Sequence, residues 1–219
     1  GFLGLGVPIP DIGLPRLLLG GRTVSYQDNI VISSEVERTS FVKNITEKTS
    51  SSGPMAIATI QHELRPVSFS AAAIIETQTY ILLSGNNAQS KPPLTTSEIR
   101  NHKSEIQKHF VPDETILFQY SALGFNSHKI HLDKEYARNI EGLPDLVVNG
   151  GLATLLLTEF MRNELGHEIN DIKVKHIAPL FCGQTMTITA EPGETNWKLK
   201  VYDNYNVVAI EADANIKPI

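Results

Sequence analysis

Residues 150 to 161, GGLATLLLTEFM, constrain the fold more than any other stretch. Leu152, Leu156 and Phe160 recur at helical spacing, and Ala153, Leu157 and Met161 broaden the face they make. The first two turns are apolar on nearly every side, so this is a central helix that other elements must wrap. Gly166 follows as a C-cap. The wrapping layer comes next in the chain. TMTITAE alternates from Thr185, and NWKLKVY puts Trp197, Leu199 and Val201 on one face and lysines on the other. NVVAIEADA closes the series, with turns at EPGE (191 to 194) and DNYN (203 to 206). A buried helix followed by an antiparallel meander that wraps it is an α+β arrangement.

The first part of the chain reads differently. Residues 1 to 21 are dense in glycine and proline, which forbids a long helix, and read as an apolar segment laid on a core. Strand-like runs follow over Thr23 to Gln27, Val31 to Ile45, Met55 to Leu64 and Ala72 to Leu83. Residues 85–98 are polar, carry two prolines and fit neither period, so they read as a linker. The expected organisation is an N-terminal half over 1–84, the linker, and a C-terminal half over 99–219. Two such units can pair sheet edge to sheet edge, which removes exposed edges.

Composition narrows the function classes. The formal net charge is -5, against general nucleic-acid binding, which needs a basic surface. Cys182 is the single cysteine, so a disulfide framework is excluded. No apolar run is long enough to span a bilayer, and no membrane association is expected. The histidines show no pair at metal-ligand spacing on a helix, so no metal is expected. The glycines of 1 to 21 neither follow a strand nor open a helix, so a dinucleotide or phosphate loop fails on context, and no cofactor is expected. Residue 1 is Gly rather than Met, so a targeting peptide would lie outside what this sequence displays.

The stretch FQYSALGFNSHKIHLD, residues 118 to 133, places Asn126, His128 and His131 within six positions. YSALGFNSHKIHLD, then YARNIEGLPDLVVNGGLATLLL at 136 to 157, resembles the type 2 3-hydroxyacyl-thioester dehydratases of the wider MaoC-like, (R)-specific enoyl-thioester hydratase group. LPRLLLGGR, ITEKTSSSGPMAIATIQHEL and ETQTYILL carry the resemblance through the N-terminal half. It implies a double hot-dog, with the active site in the C-terminal half. The N-terminal half would be non-catalytic and widen the acyl tunnel, its own central helix lying upstream or missing. In the wider group the motif runs Asp-x-Asn-Pro-x-His. Laid on this chain, Asn126 takes the place of the Asp, His128 of the Asn, Lys129 of the Pro and His131 of the His. The group's helix opens with His-Gly where this chain has Asn149-Gly150.

These positions imply roles. An imidazole titrates near 6.5, so His131 can take a proton from C2 and return it to the departing 3-hydroxyl. Asn126 lacks a carboxylate, so it can orient water or the hydroxyl but not act as a base; it also suits an ordinary turn. His128 is an accessory candidate, and in extended chain it would point away from His131. Gly150, with Gly151 as a second amide, supplies the oxyanion donors of a helix start. Asn149 suits an N-cap, and Asp133 caps the short helix that follows it. The remaining histidines, His62, His102, His109, His167 and His176, are scattered.

The function implied is reversible dehydration of (3R)-3-hydroxyacyl thioesters to trans-2-enoyl thioesters. The setting implied is mitochondrial type II fatty-acid synthesis in the matrix, with acyl carrier protein or CoA as the handle. Arg100, Lys103 and Lys108, or Lys173 and Lys175, are candidates for a carrier-protein landing patch. One alternative is a hydratase of a short branched dicarboxyl-CoA such as mesaconyl-CoA, marked by a cation in the tunnel. The other is a non-catalytic acyl-thioester-binding hot-dog. A monomer or a weak homodimer both fit.

Overall fold

The computed structural model describes residues 8–50, 53–84, 106–193 and 196–217. The N-terminal strands are β1 (Arg16–Tyr26), β2 (Val36–Ser50), β3 (Gly53–Pro66) and β4 (Ile74–Leu83). After them come β5 (Ile106–Phe110), helix α1 (Glu114–Leu123) and helix α2 (Gly150–Asn163). The chain ends with β6 (Ile169–His176), β7 (Met186–Pro192), β8 (Trp197–Tyr202) and β9 (Val208–Ile216). The expected linker, 85–98, lies outside the described residues.

All these strands join one antiparallel sheet in the order β2-β3-β4-β1-β6-β9-β8-β7-β5. The first four strands and the last five form two separate groups within it. They meet edge to edge where residues 21–25 of β1 pair with residues 171–175 of β6. No helix lies among the described residues 8–84.

The C-terminal strands wrap α2. Leu152, Ala153, Leu157, Phe160 and Met161 are buried on the helix. Ile172, Val174, Leu199, Val201, Ile210, Ala212 and Ala214 are buried with them in one cluster. Burying each large aliphatic or aromatic side chain contributes about 1.5–3 kcal/mol. The wrap is open on one side: Leu155 is exposed and Leu156 only half-buried. Thr154 and Thr158 donate their hydroxyls to carbonyls one turn back, at 3.0 and 2.8 Å, so neither is left unpaired. The chain leaves the helix through Gly166 at φ 69°, and the His167 amide bonds back to the Met161 carbonyl at 3.0 Å. In β8, Leu199 and Val201 face the helix while Lys198 and Lys200 face out, as the alternation predicts.

Two expectations need correcting. Residues 16–21 are not part of a wrapping segment; they lie in β1, in the middle of the sheet. A bulge between Leu19 and Gly21 takes up one of the two glycines, and a Cβ on Gly21 would sit 2.9 Å from the Val174 carbonyl of β6. The glycine marks a close approach of two backbones, not a break in the strand. Only the preceding residues wrap, with Ile9, Ile12 and Leu14 packed on Leu17, Ala56, Ala58, Ile60 and Leu82. Second, the strand expected from Val31 begins at Val36 and runs on to Ser50. Ser33 at φ 71° keeps the residues before it in a loop.

Gly21→Ala forces the β1–β6 backbones apart and costs about 1–3 kcal/mol. Thermal unfolding of the variant, set against Gly20→Ala, which meets mainly the flexible Ile81 side chain, checks this expectation.

Candidate active site

The segment between the two helices folds through short-range bonds. Asp113 caps α1 by accepting the Ile116 amide at 2.8 Å. Asp133 accepts the Tyr136 amide at 2.9 Å, just ahead of the short wide turn Tyr136–Ile140. Arg138, at 2.8 Å, and Lys134, at 3.4 Å, hold the carboxylate of Asp145. These ties deliver residues 145–149 to the start of α2.

His131 ends a tight turn over Lys129–His131 and is buried, only 8% exposed. Its Nδ1 lies 2.8 Å from the carbonyl oxygen of Val147. A carbonyl only accepts, so Nδ1 carries the proton and Nε2 presents its lone pair. Val147 in turn donates its amide to Ile130 at 2.9 Å. The ring is therefore clamped to the segment that enters α2 three residues later. Burial pushes its pKa down from 6.5 to about 4, against the Val147 bond, so the imidazole is neutral at pH 7.

The structure corrects the geometry expected of His128. Residues 129–131 form a turn, not extended chain, so the two rings do not point apart. They meet edge to face, with centroids 5.6 Å apart. Burial lowers the His128 pKa as well. Asn126 forms a local turn: its Oδ1 accepts the His128 amide at 3.0 Å. Its own amide bonds the Ser121 carbonyl at 2.8 Å, which ties the turn to α1.

Asn149 stands at the N-cap of α2 but does not cap it. Its Nδ2 donates instead to the Ser121 hydroxyl at 3.1 Å, and its buried Oδ1 has no partner among the described residues. The first amide to bond back is that of Ala153, to the Asn149 carbonyl at 3.1 Å. Among the described residues the amides of Gly150, Gly151 and Leu152 are thus free donors at the positive end of the helix.

The two glycines are needed for space. A Cβ on Gly150 would sit 2.9 Å from Leu19 Cδ2 of β1, and 3.1 and 3.2 Å from Cε1 and Nε2 of His176 on β6. A Cβ on Gly151 would run into the Tyr120 hydroxyl and lie 3.0 Å from its Cζ. The helix start is thereby packed against both strands of the β1–β6 junction and against α1. Tyr120 and His176 are neighbours that the motif did not point to. The alternation of Ile172, Val174 and His176 along β6 is the signal that places His176 on the helix side. Its pKa is pushed down to about 4, first by burial and then by the charge of Arg22.

Among the described residues no group of three or more His, Cys, Asp or Glu side chains is placed to hold a metal ion. None of the described helices is long and apolar enough to cross a membrane. A groove of about 390 Å³, lined in part by Ile12, Leu14, Lys48 and Met55, includes no candidate site residue.

The comparisons with known proteins place the chain among hydro-lyases that act on hydroxyacyl thioesters. A crystal structure of a MaoC-like dehydratase from Phytophthora capsici superposes with a TM-score of 0.71 at 13% identity, covering 96% of this chain and 74% of that one, so the fold is the MaoC-like hot-dog. The profile of the family described as hydroxyacyl-thioester dehydratase type 2 matches residues 8–182. The chain belongs to that family. It is 31% identical over 213 residues to the mesaconyl-C(4)-CoA hydratase of Chloroflexus aurantiacus, covering 95% of this chain and 73% of that protein. It is 25% identical over 113 residues to the mitochondrial hydroxyacyl-thioester dehydratase type 2 of Saccharomyces cerevisiae, covering 50% of this chain and 40% of the yeast protein.

Two outcomes follow. Gly151→Ala costs about 1–3 kcal/mol through the clash with Tyr120, and adding Tyr120→Phe recovers part of the loss; urea unfolding of the single and double variants measures both. Between pH 6.5 and 4 the unfolded chain binds protons that folded His131 and His176 refuse. Stability therefore falls as pH drops through that window and levels off above it. Urea midpoints at a series of pH values check this, and His176→Asn flattens the slope.

Proposed function

We propose that the chain catalyses the reversible dehydration of (3R)-3-hydroxyacyl thioesters to trans-2-enoyl thioesters. The observation that carries this reading is the bond from His131 Nδ1 to the Val147 carbonyl. It leaves Nε2 as a base, held close in the chain to three free amides.

In the dehydration direction, Nε2 of His131 takes the proton from C2. The electron pair moves toward the thioester oxygen, which the amides of Gly150 and Gly151 hold. As the C2–C3 double bond forms, the C3–O bond breaks. The imidazolium returns its proton to the departing hydroxyl, and water leaves. One residue serves both steps when proton and hydroxyl depart from the same face. Asn126 uses its carbonyl oxygen on His128, so its NH₂ remains to orient the 3-hydroxyl. His128 fixes the His131 ring edge to face, and Asn149 acts through Ser121 rather than as a cap.

In this reading the molecule is a double hot-dog, with β1–β4 a non-catalytic half and the chemistry confined to the half around α2. The domain division is 1–84, 85–98 and 99–219. The yeast relative, a mitochondrial hydroxyacyl-thioester dehydratase type 2, supports a mitochondrial setting; the matrix, type II fatty-acid synthesis and acyl carrier protein as a handle are part of the same proposal. Lys173 and Lys175 are exposed and suit a carrier-protein contact, whereas Lys108 is paired with Glu164. The Chloroflexus relative favours a second reading, a short dicarboxyl-CoA as substrate.

His131→Ala lowers kcat for crotonyl-CoA hydration by about 100- to 10,000-fold, the range for loss of a general acid–base. Near-normal turnover by that variant removes His131 from the role. Tight binding of acyl-CoA by the wild type without any hydration supports the non-catalytic alternative instead.

A further inference from the structure

Asn149 stands at the position where an asparagine ordinarily turns its side chain onto the helix it opens. An N-cap Asn accepts the amide of the second or third helical residue, here Gly151 or Leu152. Its backbone, at φ -59° and ψ 129°, lies outside the helix, as a cap's does. Its carbonyl takes the Ala153 amide at 3.1 Å, so the backbone half of the cap is in place. The side-chain half is missing. Asn149 is 1% exposed, so solvent does not draw the amide group away. Ser121 of α1, itself 2% exposed, does: its hydroxyl oxygen takes Asn149 Nδ2 at 3.1 Å.

The consequence shows at the same residue. Asn149 Oδ1, the atom that would make the cap, is buried without a partner among the described residues. Buried polar atoms are paired in the great majority of cases. Among the described residues the amides that Oδ1 would accept are unpaired as well. An idle acceptor and idle donors therefore share one turn of one helix, and rotation of the Asn149 side chain would join them. Helix stability favours that rotation, since an asparagine cap stabilises a helix. The rotation would consume a donor and put an acceptor oxygen where the thioester oxygen must sit. The bond to Ser121 opposes it.

Helix α1 is set firmly against α2. Leu117, one turn before Ser121, is buried in the α2 cluster, and the Tyr120 hydroxyl fills the place of a Gly151 Cβ. The Ser121 carbonyl has a separate use: it takes the Asn126 amide at 2.8 Å. Removing only the hydroxyl of Ser121 leaves the Asn126 turn tied.

We propose that Ser121 is a positioning residue of the reaction: by holding the Asn149 side chain on α1 it keeps Asn149 from capping α2, and so keeps the first-turn amides open to the thioester oxygen. The inference rests on the hydratase reading for the use of those amides. The restraint on Asn149 is a property of the helix start and is measured separately.

Two measurements on the whole protein test this: kcat and KM for crotonyl-CoA hydration, and hydrogen exchange of the Gly151 and Leu152 amides followed by NMR. In the wild type both amides exchange faster than those in the middle of α2. In Ser121→Ala the Asn149 side chain falls onto the helix, and one of the two amides exchanges about tenfold more slowly. The urea midpoint holds, because the new cap offsets the lost bond. Its kcat falls by about 100-fold, the usual effect of removing one oxyanion donor, with KM little changed. Ser121→Ala/Asn149→Ala has no side chain to form the cap, so exchange returns to the wild-type rate and kcat recovers about tenfold. A merely structural Ser121 gives the opposite pattern: a lower urea midpoint, faster exchange and a double variant no better than the single. That pattern overturns the inference, a Ser121→Ala that does not fold being its extreme, and so do wild-type amides as protected as the middle of α2. A wild type that does not hydrate crotonyl-CoA defeats the hydratase reading itself. Slower exchange in Ser121→Ala, lost again in the double variant, then still supports the restraint on Asn149, and unchanged exchange removes it.

Discussion

Burial of one apolar helix by one curved sheet is the constraint on which the rest of this molecule depends. Leu152, Ala153, Leu157, Phe160 and Met161 cannot face water on a helix this short without losing much of the stabilisation that holds the domain. The strands β6, β9 and β8 supply the matching apolar face. Once α2 is fixed in that trough, its first turn must emerge at a definite place, beside Leu19 and His176. The candidate site is the uncapped end of this buried helix. That combination gives rigid donors, since the amides of residues 150–152 are held by packing rather than by a local cap.

The arrangement of the imidazole follows the same logic. His131 belongs to the link between the helices, where side chains are ordinarily mobile. Here the Val147 carbonyl and the reciprocal amide bond to Ile130 fix its position relative to α2. The bond that positions the ring also sets its tautomer. Burial does the remaining work by keeping the imidazole neutral, since charging it inside the protein would sacrifice hydration. An imidazole that is uncharged at rest and held close in the chain to N–H groups unpaired among the described residues suits the proposed chemistry, in which negative charge appears only transiently.

The α2 period and the alternation in β7, β8 and β9 could be read from the sequence, because in each the buried face is marked by side chains of one kind. β1 could not. Its glycines signal loop by local rules, and only the proximity of Val174 explains Gly21. β6 alternates lysines with aliphatics, yet its last inward residue is His176, so the pattern ends on a polar side chain. Asn149 sits where a cap belongs, but Ser121, supplied by a separate helix, draws its side chain away. The Asn126, His128 and His131 cluster was legible as a group, although a turn of three residues reversed the expected direction of His128.

The short ladder between β1 and β6 has a consequence for how the molecule matures. Its partners, residues 21–25 and 171–175, are far apart in the chain. Contacts of such long sequence separation form late, because loop closure is entropically expensive before other structure limits the search. Leu19 reaches Gly150 only after that docking. The surroundings of the helix start are therefore completed by the last large assembly event, and partly folded chains carry the imidazole and the amides without the wall that Leu19 supplies.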